Sequence, residues 1–248
     1  MIELVGFVFI LAVGAIASAR LVDRRSVAEY GFSLNRQWWR SFAAGGVIVT
    51  IVNTGAFVFA LSVEWVTIVG FTETPGVVPF LPAMAVTFAL IAVAAAWEEF
   101  VFRATMLKNL AEGADGFLPR RAAIGIAILL STVVFAALHA GKVTHLSQYG
   151  YYLLAGLLLS GAYVLTGDLS LPIGFHLCYN FTMSAVFGLG VSQRTPEIFV
   201  LDVVGPVRWI GEEGLVHVLF AVVGGVLLLM YIYWRDGYLC FRERVTQW

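Results

Sequence analysis

Residues 74–103 read TPGVVPFLPAMAVTFALIAVAAAWEEFVFR: an apolar run from Thr74 to Trp97 without Asp, Glu, Lys or Arg, then Glu98-Glu99, then Arg103 four residues after the second glutamate. As a helix, a run of this length crosses the roughly 30 Å of bilayer hydrocarbon, for which about 20 apolar residues suffice. Six more runs free of charged residues lie at Leu4 to Ala19, Ser41 to Val63, Ala122 to Gly141, Val143 to Gly167, Leu169 to Gln193 and Gly214 to Trp234. The prolines at 75, 79, 82, 119, 172, 196 and 206 fall at the edges of these runs or between them. A missing amide donor costs little there, which favours helices over a β-barrel. The expected fold is all-α, a polytopic membrane helical bundle of about seven transmembrane helices forming one domain over residues 1–248.

Composition supports that solvent. Of the 248 residues 60% are hydrophobic and 12% charged, about half the charge of an ordinary soluble domain. A net charge of −1 gives no field for gathering phosphates, so nucleic acid is excluded as a partner. Cys178 and Cys240 are too sparse for a disulfide framework or a thiolate metal site. The first run lacks a basic segment ahead of it, so we expect a retained span rather than a cleaved leader. Twelve Lys and Arg fall in alternate connections (20–40, 103–121 and 235–244) and three in the others. The positive-inside rule then puts the amino terminus outside and the carboxyl terminus in the cytoplasm of a cell-membrane protein. Residues 23–40, with four arginines, Trp38 and Trp39, suit an amphipathic connector lying in the interface.

The paired glutamates are chemically unequal. On a helix Glu99 and Arg103 share a face in the favourable i,i+4 order, whereas Glu98 points about 100° away and lacks that partner. Ionisable groups inside an apolar run are costly and mark function; the competing reading is an interfacial span end with both carboxylates reaching water. Two further runs carry polar groups: Phe135 and His139 in one, His176 and Asn180 on a common helix face in the other. Polar groups in lipid satisfy one another, so these segments are expected to converge on one buried polar active-site cavity. Such a cluster supports hydrolysis. In a metal-free version Glu98 takes a proton from water, a histidine orients that water, and His176 with Asn180 stabilises an oxyanion. In a metal version Glu98, His139 and His176 ligate zinc; asparagine, a poor zinc ligand, favours the former. No His-Glu-x-x-His occurs, Leu158 breaks a Gly-x-Ser-Gly pattern at Ser160-Gly161, and Leu165 breaks a Gly-x-Gly-Asp pattern at Asp168.

These residues resemble the CAAX protease and bacteriocin-processing (CPBP, or Abi) family of type II CAAX prenyl endopeptidases. Its motifs Glu-Glu-x-x-x-Arg, Phe-x-x-x-His and His-x-x-x-Asn match Glu98, Glu99 and Arg103, then Phe135 and His139, then His176 and Asn180. The approach Gly167-Asp168-Leu169 is similar to the family's Gly-Ser-Leu, and Ala104 stands where a glycine is common. The motif-bearing core is about 81–193. The resemblance implies an intramembrane endopeptidase acting on membrane-embedded or prenylated substrates, with Glu98, Glu99, Arg103, His139, His176 and Asn180 as site residues. Glu98 would be the general base, and His139 would position the water. The cofactor would be none or zinc. A proton-coupled transporter, or a non-catalytic scaffold or immunity protein of the same fold, remains the alternative. His217 reads as a packing residue of the last run. One depth mismatch follows: Glu98 lies near one end of its run and His139 near the far end of the next. The two meet only if the helix bearing Glu98 continues past Arg103 as a long tilted element, or if the helix ending at His139 starts well outside the membrane.

Overall fold

The structure is a computed structural model that describes residues 13–246 apart from 15, 16, 18, 19, 21–23, 25, 75, 143–145, 191–194 and 212. It is mostly helical. The principal helices are α1 (Arg36–Ser62), α2 (Phe80–Asp115), α3 (Arg120–Leu138), α4 (Tyr149–Thr166), α5 (Ser170–Phe181) and α6 (Leu215–Asp236). Among the described residues five of these, all but α5, are long and apolar enough to cross a membrane; the sequence runs suggest about seven. The run at Leu4 to Ala19 lies almost wholly outside the described residues. The run at Leu169 to Gln193 yields only the short α5 and a wide turn, Thr182–Val186, because the chain leaves helical geometry at Phe187 instead of continuing to the far face.

Helix α2 extends well past the glutamate motif. It runs unbroken from Phe80 past Arg103 to Asp115, about 54 Å at 1.5 Å per residue. Its stretch Phe100–Leu107 is a π-helix, in which the Lys108 amide bonds back five residues to the Arg103 carbonyl. Wide turns weaken the regular ladder and are frequent at functional sites. Ser131 of α3 donates to the Phe102 carbonyl at 2.8 Å, tying the two helices together at this level. A second wide turn follows α5, closed by the Phe187 amide on the Thr182 carbonyl at 2.8 Å. Asn53 of α1 steadies it, donating to the Thr182 hydroxyl at 2.7 Å and the Tyr179 carbonyl at 3.2 Å.

Helix α5 is buried in the bundle and pressed against α1. A Cβ at Gly45 would stand 2.5 Å from the Leu171 carbonyl oxygen, and one at Gly174 would overlap the Phe42 carbonyl. Glycine at both positions therefore permits a backbone approach that no other residue allows.

The basic connections meet at one end of the bundle. There the tail after α6 covers the carboxyl end of α4. The Arg242 amide donates to Val164 O at 2.8 Å, Arg242 Nε to Leu165 O at 3.0 Å and Arg244 Nη2 to Thr166 O at 2.7 Å. Cationic donors on terminal helix carbonyls complement the helix dipole. Arg120 of α3 reaches the Glu243 carbonyl at 3.0 Å, and Arg235 reaches the Ser41 hydroxyl of α1 at 3.0 Å. The connector before α1 does not simply lie in the interface. Tyr30 and Trp38 are buried and Gly31 O accepts from the Leu169 amide at 3.2 Å, while Leu34 and Trp39 face outward.

The opposite end carries a feature absent from the sequence reading, a two-stranded antiparallel sheet of β1 (Val66–Glu73) and β2 (Glu197–Val203). Both segments are rich in Val, Ile, Phe or Thr, which suit a pleated surface. Phe199 of β2 packs on Phe57 of α1 and Phe187, at ring separations of 5.3 and 6.3 Å. The sheet is thereby anchored to the helices.

Candidate active site

Three of the polar motifs' elements converge beside the wide turn of α2. Glu99 is fully buried, and its Oε1 accepts from both Arg103 Nη1 at 3.2 Å and His176 Nδ1 at 2.7 Å. A carboxylate only accepts, so His176 carries its proton on Nδ1 and turns Nε2 the other way. That nitrogen lies 3.8 Å from Glu98 Oε2, beyond direct hydrogen-bond distance. The two adjacent glutamates thus occupy opposite sides of one imidazole. Glu99 fixes the ring, and Glu98, whose Oε2 is buried without a hydrogen-bond partner, faces its far edge.

Arg103 is also fully buried. A buried guanidinium needs compensation. Besides Glu99 it has the face of Phe135, 4.7 Å from its central carbon to the ring centroid, a cation–π geometry. Phe135 serves a second purpose, because its carbonyl accepts from His139 Nδ1 at 2.8 Å. A carbonyl cannot donate, so this nitrogen bears hydrogen, and in the neutral ring the lone pair sits on Nε2. His139 ends α3, and its ring stacks on Tyr152 of α4 with centroids 4.5 Å apart and planes 26° apart. The link from the carboxylates to His139 therefore runs Glu99, Arg103, Phe135, His139.

Asn180 lies one turn beyond His176 on α5, half-buried; its carbonyl accepts from the Ser184 hydroxyl at 2.6 Å inside the second wide turn. Asp168, the departure in the approach to this helix, is nearly buried. Its Oδ1 accepts from the Ser170 amide at 2.7 Å and its Oδ2 from the Ser33 hydroxyl at 3.3 Å, so the substituted carboxylate caps the start of α5. Ala104, at the other departure, is fully buried against α3 and α4. His217 is buried on α6.

Among the described residues no three His, Cys, Asp or Glu side chains gather closely enough to hold a metal ion. Two residues escaped the sequence reading. Tyr152 donates to Glu213 at 2.7 Å, and both are buried. The available signal was Glu213 standing immediately before the apolar run at Gly214.

Fold and site together define a polytopic helical membrane protein with a carboxylate and histidine cluster inside it. Residues 79–182 match the family model described as "Type II CAAX prenyl endopeptidase Rce1-like", a segment that holds all three motifs, as the sequence resemblance anticipated. No curated protein and no solved structure matches the chain significantly.

Proposed function

We propose that this protein is an intramembrane endopeptidase of the CAAX type, hydrolysing a peptide bond of a membrane-associated, prenylated carboxyl-terminal segment without a metal. In this reading Glu98 Oε2 takes a proton from water, and the water oxygen attacks the scissile carbonyl carbon. His139 Nε2 orients the water. The carbonyl π electrons move to oxygen, where His176 Nε2–H and the Asn180 amide hold the oxyanion. His176 offers an N–H at both nitrogens only as imidazolium, and the two flanking carboxylates suit that form. The proton on Glu98 then passes to the amide nitrogen as the C–N bond breaks. Glu99 and Arg103 position His176 and do not touch the reacting atoms.

The observation that carries this reading is the contrast within the glutamate pair: Glu99 bonded to His176 and Arg103, Glu98 buried at Oε2 without a partner. The family match over 79–182 supports a membrane-associated peptide substrate. The gathering of basic connections at one end supports placing that end in the cytoplasm. Labelling the exposed Cys240 with an impermeant maleimide in intact cells tests the orientation, since a cytoplasmic tail resists it. The reaction is tested by cleavage of a farnesylated CAAX peptide by reconstituted full-length protein, wild type against Glu98→Gln, with and without a zinc chelator. Loss of cleavage in the variant and indifference to chelator are expected. Cleavage by Glu98→Gln at the wild-type rate removes Glu98 as the base, and chelator sensitivity removes the metal-free version.

A further inference from the structure

The family motifs leave one buried polar pair at the edge of the site unexplained. Tyr152, in the first turn of α4, is 4% exposed, and Glu213, in the turn before α6, is 3% exposed; the phenol donates to Glu213 Oε1 at 2.7 Å. No Lys or Arg pairs with Glu213 among the described residues. Burying a carboxylate against a neutral phenol is expensive, and a tyrosine that only filled space would not need it. What this pair holds is a ring plane. The Tyr152 ring stacks on His139 at 4.5 Å and 26°, while Phe135 meets His139 at 4.6 Å and 46° and Tyr152 at 6.4 Å and 62°.

His139 needs such support because of where it sits. It follows the last helical residue of α3 and precedes the short turn Ala140–Lys142, so its backbone lies at a helix end where the chain is least constrained. The Nδ1 hydrogen bond to the Phe135 carbonyl fixes one edge of the ring. The stacked tyrosine bears on the face of that ring, and Glu213 fixes the tyrosine's own orientation through its hydroxyl. The connection also brings the loop before α6 to the site, although that loop lies outside the segment 79–182 that carries the motifs.

We propose that Tyr152 and Glu213 are positioning residues for His139: Glu213 holds the Tyr152 phenol, and the Tyr152 ring holds the His139 imidazole in the plane and tautomer in which Nε2 meets the water. This rests on His139 being the water-orienting histidine. The pair touches no reacting atom, so it acts on the rate of the chemical step and leaves substrate binding alone.

Two readouts test it on the full chain. In kinetics, Tyr152→Phe keeps the stacked ring and loses the hydrogen bond, and Glu213→Gln weakens the same bond from the other side. Each is expected to lower kcat by roughly three- to tenfold with KM within about twofold, as loss of one buried hydrogen bond and a small misplacement predict. The double variant should fall no further than the worse single one, because both remove one interaction. Tyr152→Leu, which also removes the stack, should lose more than Tyr152→Phe. Multiplying losses in the double variant, or kcat unchanged in both single variants, overturn the proposal. The second readout does not depend on cleavage. The chain has four histidines, so 15N-histidine NMR in detergent, assigned with His139→Gln, reads the His139 tautomer directly. A single Nδ1–H form is expected in wild type and Tyr152→Phe, and a mixture in Tyr152→Leu. An unchanged tautomer in Tyr152→Leu that melts like the wild type refutes the clamp. If wild type cleaves no peptide, the proposed activity fails while the tautomer measurement still decides the positioning role.

Discussion

Exchanging either of two neighbouring glutamates for glutamine should separate stability from activity. Glu99→Gln removes the charge that holds a fully buried Arg103 at 3.2 Å and a nearly buried His176 at 2.7 Å. Breaking a buried pair from one side leaves the other charge uncompensated, a cost of about 3–5 kcal/mol. The glutamine amide can still accept one hydrogen bond, and the Phe135 face at 4.7 Å still shields the guanidinium, so the lower end of that range applies. For a chain of this size, about 3 kcal/mol corresponds to a fall in Tm on the order of 6–12 °C. Glu98→Gln has a different consequence. The Glu98 side chain is 30% exposed, and its nearest charged neighbour is His176 Nε2 at 3.8 Å, so stability should move by no more than about 0.5 kcal/mol. Its cleavage should nevertheless fall by roughly 10²–10⁴, the contribution of a positioned general base. Thermal unfolding followed by tryptophan fluorescence in one detergent, beside peptide cleavage on the same preparations, gives both numbers. Equal destabilisation by the two substitutions would sink the division of labour between them, and so would a Glu99→Gln protein as stable as wild type.

Three further outcomes follow from other parts of the molecule. Gly174→Ala should destabilise by about 1–3 kcal/mol, since its methyl meets the Phe42 carbonyl in a packed interface. Gly161→Ala on α4, with nothing within 4 Å of the new carbon, should be neutral or stabilising by about 0.5–1 kcal/mol; paired unfolding curves compare them, and equal effects would contradict the close approach of α1 and α5. Arg103→Lys should lose most cleavage, because an ammonium cannot reproduce a planar guanidinium over an aromatic face, and near-full activity would show that the cation–π contact is dispensable. At the sheet, burial and then the facing Glu73 push Glu197 above the ordinary carboxylate value. A raised acid stabilises the fold below its unfolded value near 4.5 and loses that contribution as pH climbs through the folded one. Glu197→Gln should therefore raise Tm at neutral pH and match wild type in acid, and a gain independent of pH would rule out the carboxylate repulsion.

The helices and the polar residues were legible because each leaves a local mark. Apolar runs of spanning length name their own helices, and charges inside them stand out against a cost of a few kcal/mol. The i,i+4 spacing of Glu99 and Arg103 sufficed to separate the two glutamates before any geometry was known. What escaped depends on distant pairs. Val66–Glu73 and Glu197–Val203 each look like short apolar connections until they are paired, since a two-stranded ribbon carries no signal beyond composition in either strand. Nor does the length of Leu169 to Gln193 say that its helix stops at Phe181. Tyr152 and Glu213 meet across 61 residues, and neither sits in a motif.

The two wide turns tie these levels together. A straight α-helix turns its side chains by a fixed 100° per residue, so a helix that must pack along its whole length against fixed neighbours cannot freely choose which residue faces inward. One π segment follows Glu98 and Glu99, and the other follows His176 and Asn180. Each lets the apolar seam after the motif be set independently of the motif's own facing. The freed backbone groups then need partners, and the bundle supplies them from neighbouring helices: Ser131 for the Phe102 carbonyl, Asn53 for the Tyr179 carbonyl and the Thr182 hydroxyl. Both donors are buried polar residues. Their place in the chain makes sense once the wide turns are seen as the means by which α2 presents its carboxylates to the histidine of α5 without either helix giving up its packing.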